Sequence, residues 1–316
     1  MQLPKLNSDI CSVISKYLIH KEYKLLDWIN ILELKYKNYL SLNINAIDFL
    51  RKNPDIINWS TLSYNPNAIE LLKENLLKGQ DNIDWNLLSF NPNAIELIKK
   101  NPNKINWLYL SSNPNAIELL RANPDKIDWN NLSANPNAIE LLRENPTKID
   151  WDMLSVNPNA IEILKENLHD INWELLSSNI NAIELLREHP DNIHWDYLSS
   201  NDNPDAIDLL KEYPDKIDWY WLSSNPNAIE LLKENQDKID WYRLSLNPNA
   251  IELLKENKDK INWFNLSSNP NAIELLKENP DMINYTMLSK NKSIFHLHDN
   301  TKEIENKTKI LNLIFS

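Results

Sequence analysis

Along most of this chain an aromatic residue is followed by two variable positions and then by Leu and Ser. Next come Asn-Pro-Asn-Ala-Ile, a Leu-Leu pair and a polar turn that leads to the next aromatic. The step is 22 residues through Trp85, Trp107, Trp129, Trp151, Trp173 and Trp195. Trp59 lies 26 before Trp85, with four extra residues around Leu76 to Gln80, and Trp219 lies 24 after Trp195, the extra pair being Asn201-Asp202. Trp241, Trp263 and Tyr285 resume the step of 22, giving eleven units. A partial unit precedes them (Leu40, Ser41, Ala46, Ile47) and a decayed one follows (Asn291, Ile294, Leu297).

The spacing predicts two helices per unit. The longer starts at Asn113-Pro114-Asn115, where Asn serves as N-cap, Pro is pre-set for the first turn, and Asn115 with Glu118 has capping-box spacing. Ala116, Ile117, Leu119 and Leu120 form its apolar stripe, and Glu118 and Arg121 stand three apart on its outer face. Asn123 as a left-handed cap and Pro124 as a breaker end it. The shorter helix runs from an N-cap at Asp128 through Trp129 and Leu132 to Ser133. A helix this short does not persist alone in water, so its Trp and Leu must be buried against neighbours.

The Leu slot is filled without exception from Leu62 to Leu288, as is the Ser slot from Ser63 to Ser289, and the Ala slot stays small from Ala68 to Ala272. Units too small to close a core of their own have to stack. The expected fold is therefore an all-α α-solenoid of about eleven 22-residue helix-turn-helix repeats, one long and one short helix each. Helices packed about 8–10 Å apart predict an extended, superhelical rod on the order of 100 Å long. Residues 37–298 form this array. Residues 1–36 are an N-terminal helical cap, with Leu25-Leu26 and Trp28 in its amphipathic pattern, and residues 299–316 a C-terminal capping helix carrying Ile310, Leu311, Leu313, Ile314 and Phe315.

Composition narrows the function. The chain has one Gly, Gly79, so Asn is the residue expected to take left-handed turns. Lys+Arg 33 against Asp+Glu 45 gives a net charge of -12, which repels a phosphate backbone and argues against nucleic acid and anionic membranes. A single cysteine, Cys11, excludes an internal disulfide and a Cys-based zinc site and suits a reducing compartment. Lys5, Asp9, Lys16 and His20 interrupt any signal-type apolar run, and no stretch approaches the roughly 20 apolar residues of a membrane span. The six His do not recur with the repeat, and one Gly cannot build a phosphate loop. No catalytic residue, metal site or cofactor is expected. The repeated Ser reads as a group that satisfies backbone between helices, and the Trp ladder as packing.

The run Asn-Pro-Asn-Ala-Ile-Glu-Leu-Leu, continuing to Ile-Asp-Trp and nearly verbatim at 113–129 and 225–241, resembles the Asn-rich short repeats of giant DNA viruses that infect protists. The likeness covers roughly residues 37–298. It implies a viral protein that binds host or viral proteins, in the host cytoplasm or the virion, and it supplies no catalytic residue. Separately, Leu3-Pro4 followed by Ile10, Ile14 and Tyr17-Leu18 resembles, in degenerate form, the start of an F-box, a motif that recruits a ubiquitin-ligase adaptor.

If the fixed slots are packing, a partner is read by the two positions after each aromatic. These are rich in the residue types enriched at protein interfaces. Tyr109, Met153, Tyr197, Tyr220, Trp221, Tyr242, Arg243 and Phe264 are the candidate protein-binding residues. The functions that follow are a monomeric, non-enzymatic protein-binding scaffold, a structural or assembly component of a particle, or a ubiquitin-ligase adaptor.

Overall fold

A computed structural model describes residues 22–34 and 38–298. Its units carry the two helices expected, entered through a side-chain cap except at the short helix Trp195–Ser199, where His194 makes no such bond. Asn106 accepts the Tyr109 amide to start the short helix Trp107–Ser111. Asn113 accepts the Asn115 amide at 3.0 Å and opens a 3-10 turn, Pro114–Ala116, that leads into the α-helix Ile117–Arg121. A second 3-10 turn, Pro124–Lys126, then precedes the next cap at Asp128. The result is an all-α solenoid of units of about 22 residues.

Two local expectations are corrected. The long helix is capped by Asn113 alone, and Asn115 instead sends its amide nitrogen to Pro92 O of the preceding unit, so no Asn115–Glu118 capping box forms. Nor does Asn take the left-handed conformation. Among the described residues only Gly79 has positive φ, and Asn123 sits at φ -137, ψ 61. Its side chain ends the helix another way, donating to Leu119 O at 2.9 Å and so satisfying a terminal carbonyl without a left-handed turn.

Between units, the Leu slot and the Ala slot are fully buried throughout. The repeat Trp residues are only half-buried, with one edge packed on the core. Lysine ammonium groups from the following turn lie over the rings of Trp85, Trp219 and Trp241 at 4.5–5.0 Å, a cation–π cover that accounts for the exposed face. Ser has the bridging task expected of it. Ser111 Oγ donates to Trp107 O and accepts the Asp128 amide of the next unit at 3.0 Å, and equivalent bonds recur along the array.

The main polar element between units is a ladder of buried asparagines. The first Asn of each Asn-Pro-Asn motif donates both amide hydrogens to the preceding unit. Asn157, for example, reaches Ser133 O and Asn135 O, both at 2.9 Å, while its Oδ1 accepts the Asn159 amide. Isolated amides are costly to bury, and these are hydrogen-bonded on both ends.

The ladder does not stop at the ends of the array. Asn43, in the partial first unit, donates to Ser289 O at 3.3 Å and Asn291 O at 3.0 Å, and Asn45 donates to Lys292 O. These are the same bonds that Asn113 and Asn115 make to their predecessor, now spanning 246–248 residues of sequence. The expected rod is therefore overturned: the array closes on itself as a ring in which the partial unit is the twelfth member. Twelve units spaced by about 9 Å make a ring with a mean diameter of roughly 35 Å. Among the described residues the first and last units cover each other's ends.

A small seam completes the closure. Strand β1 (Tyr23–Leu25) pairs antiparallel with β2 (Phe295–Leu297), with Lys24 opposite His296. Leu26 N donates to Ile294 O and His298 N to Glu22 O, and the Phe49 and Phe295 rings meet at 5.8 Å. The described part of the expected N-terminal helical cap is thus a strand, a turn and the helix Ile31–Leu34. The F-box-like residues and the expected C-terminal helix lie outside the described residues.

Closure gives the ring an inner and an outer side. Between Trp59 and Leu176, and again from Trp195 to Leu222, successive short helices approach each other more closely than most successive long helices do, which sets the short helices toward the axis. On the outer side, Arg and Lys at the same slot behave differently. Lys73, Lys99, Lys165, Lys233 and Lys255 pair with Glu three residues back, within their own helix. Arg121, Arg143 and Arg187 reach instead to Glu144, Glu166 and Glu212 of the next unit. The longer, planar guanidinium spans the gap that an ammonium does not. No described helix is long and apolar enough to cross a membrane.

Candidate functional site

In a short helix that advances about 100° per residue, burying Leu and Ser at the fourth and fifth positions turns the second and third to the opposite side. The third of these pairs, Leu108-Tyr109, is an example: both are exposed while Leu110 and Ser111 are buried. The variable pairs therefore line the inner, concave face. Neighbouring pairs touch at several steps: Asn265 Nδ2 donates to Tyr242 O at 2.9 Å, and Tyr197 OH donates to Glu174 at 3.1 Å.

Of the candidate residues, Tyr109, Met153, Tyr220, Trp221, Tyr242 and Phe264 are between 37% and 49% exposed, high values for large apolar side chains. Tyr197 and Arg243 are half-buried. The structure brings some of them together. The Tyr220 and Trp221 rings meet edge to face at 5.4 Å, and the Arg243 guanidinium lies 4.3 Å from one ring centre and 4.1 Å from the other. Arg243 Nε is buried without a hydrogen-bond partner, so the two rings are its main compensation. Tyr242 and Phe264 continue the stripe from this cluster, while Tyr109 and Met153 stand apart from it, farther round the ring.

On the other side of Trp221 a half-open cleft of about 190 Å³ is lined by Asp196, Tyr197, Ser200 and Trp221. It falls at the one 24-residue step of the array, where the extra pair Asn201-Asp202 follows Ser200 directly. The Glu174 carboxylate, accepting the Tyr197 hydroxyl proton in a hydrogen bond, holds that phenol above its ordinary pKa.

Asp196 and Glu174 lie in the variable pairs that the sequence points to, though not among the candidate residues, whereas Ser200 and the other positions after each Ser lie outside them. That sixth position points about the same way as the second and third, five steps of 100° bringing it round to the same face. It carries Tyr64 and Phe90, stacked at 5.5 Å, and Lys290, which lies over Tyr39 across the seam at 3.9 Å. The angular argument was available from the sequence alone.

Among the described residues no three His, Cys, Asp or Glu side chains converge as a metal site. No protein-family model matches the chain, and neither the curated proteins nor the solved structures searched include a significant match.

Proposed function

We propose that this protein is a non-enzymatic scaffold that binds other proteins along the concave face of its ring. The observation that carries the reading is the contiguous exposure of Tyr220, Trp221, Tyr242 and Phe264, with Arg243 held between rings. Large aromatic residues and arginine are what interface centres are made of, and packing has no need of them here, since Asn, Ser or Asp fill the same slots in other units. The resemblance of the repeat to giant-virus sequences makes host and viral proteins the first partners to test.

The test is affinity purification of the full chain from infected cells, with Trp221→Ala, Tyr242→Ala and Arg243→Glu combined on the inner face. A variant with Glu140→Lys on the outer face is the control. The reading expects specific partners to be lost from the inner-face variant and retained by the control. An unchanged partner set, with an unchanged unfolding midpoint, would sink it.

A further inference from the structure

The geometry points to the cleft between Tyr197 and Trp221 as an anchor pocket for one arginine side chain in an extended segment of the protein partner. This deepens the scaffold reading and rests on it. Two aromatic side chains form the walls and one carboxylate, Asp196, stands at the lining, with no Lys or Arg among the lining residues. A cation is attracted to ring faces and to a carboxylate at once, and a guanidinium can also stack flat against a ring. Ser200 Oγ already donates to Tyr197 O at 2.9 Å, which leaves its lone pairs turned to accept an N–H from a guest. Glu174, bonded to the Tyr197 hydroxyl, adds a second negative charge close by.

The neighbouring step shows the same chemistry already filled from within. Tyr197, Trp221 and Arg243 occupy the third slot of three successive units. Across the ordinary 22-residue step, Arg243 lies on Trp221 at 4.1 Å. Across the 24-residue step the corresponding space between Tyr197 and Trp221 is the cleft. The chain thus places its own guanidinium against one side of Trp221 and leaves a cavity of side-chain size beside the other. Arg243 opposes a second cation nearby, and Asp196 and Glu174 supply the charge that offsets it. A peptide, rather than a free small cation, is the occupant because the exposed rings of Tyr220, Tyr242 and Phe264 continue from the cleft and offer apolar contact to flanking residues.

Selection of a random displayed peptide library on the immobilised full chain reads the pocket and the scaffold reading separately. Wild-type protein is expected to enrich peptides with one arginine at a fixed place beside apolar residues. Asp196→Asn is expected to lose the arginine while keeping the apolar flank, and this variant folds, since Asn86 and Asn130 fill the same slot in other units. In titration, the selected peptide should weaken at least fivefold with Asp196→Asn, and likewise when citrulline replaces its arginine. Enrichment without a basic position, indifferent to Asp196→Asn, overturns the pocket and leaves concave-face binding standing. Arginine amide binding as tightly as the whole peptide overturns the peptide as occupant. No enrichment above bare support overturns both readings.

Discussion

Replacing one rung of the buried ladder should cost far more than replacing the asparagine two residues along. Asn157 is fully buried, donates to Ser133 O and Asn135 O, and accepts the Asn159 amide. Asn157→Ala strands these groups unequally. Asn135 O keeps a second donor, the Ala138 amide at 3.0 Å. Ser133 O has no other partner in the hydrogen-bond network, because the residue three on is Pro136 and the Asn137 amide is turned to Asn135 Oδ1. Ser133 O is therefore left fully unsatisfied and Asn135 O partly, while the amide of Asn159, an exposed residue, turns to water, at about 1–3 kcal/mol for each full loss. The expected destabilisation is about 2–4 kcal/mol, at the lower end of that range if one water enters the vacated space. Asn159 also donates across units, to Pro136 O at 2.9 Å, but it is exposed, so water replaces what Asn159→Ala removes and the loss stays below about 1 kcal/mol. Urea unfolding followed by tryptophan fluorescence and by circular dichroism measures both, and agreement of the two probes checks that one transition is being compared. Equal losses for the two variants would refute the claim that the ladder holds the units together.

Two further outcomes follow from the packing and the charges. Ala138 is fully buried where two helices approach closely, so Ala138→Leu should destabilise by about 1–3 kcal/mol through overpacking; an unchanged urea midpoint would show that the slot has room. Glu22 and Asp81 are held below their ordinary values of 4.5 and 3.8, chiefly by hydrogen bonds from Lys52 and Lys104. A depressed carboxyl pKa contributes stability that is complete above the ordinary value and is lost as the pH falls through the lower folded-state value. Thermal melts should therefore drop as the pH falls below the ordinary carboxyl values of 4.5 and 3.8. Glu22→Gln should make that drop smaller, and a drop of undiminished size would show that the pair adds nothing.

The repeat, its two helices, the buried Leu and Ala slots and the bridging Ser were all legible in the sequence, because each follows from local spacing that stacking must satisfy. The task of the first Asn was read only in part. An N-cap accepts Ser, Thr or Asp equally well, yet this slot is Asn from Asn43 to Asn291, even where Pro and the second Asn change at Lys292-Ser293. Only an amide both accepts from its own turn and donates twice to the unit before. Closure was not legible, because it depends on a small rotation per unit summed over the whole array, and no single residue pair encodes that angle. The three-residue strands at the seam are too short to declare themselves by alternation. For the candidate site, the variable pairs located the stripe, but the cleft at the 24-residue step needs the spatial order of Tyr197, Trp221 and Arg243.

The closed ring is tested most directly at its seam. Lys24 and His296 are Cα partners in the β1–β2 pair and both are exposed. Cross-strand partners have Cα atoms about 4.5–5.5 Å apart, inside the range a disulfide spans. With Cys11→Ser removing the native thiol, Lys24→Cys and His296→Cys should oxidise to an intramolecular disulfide that makes the monomer migrate faster on a non-reducing gel. An open array would hold those positions on the order of 100 Å apart. Free thiols under the same oxidation, or only cross-linked dimers, would contradict the ring.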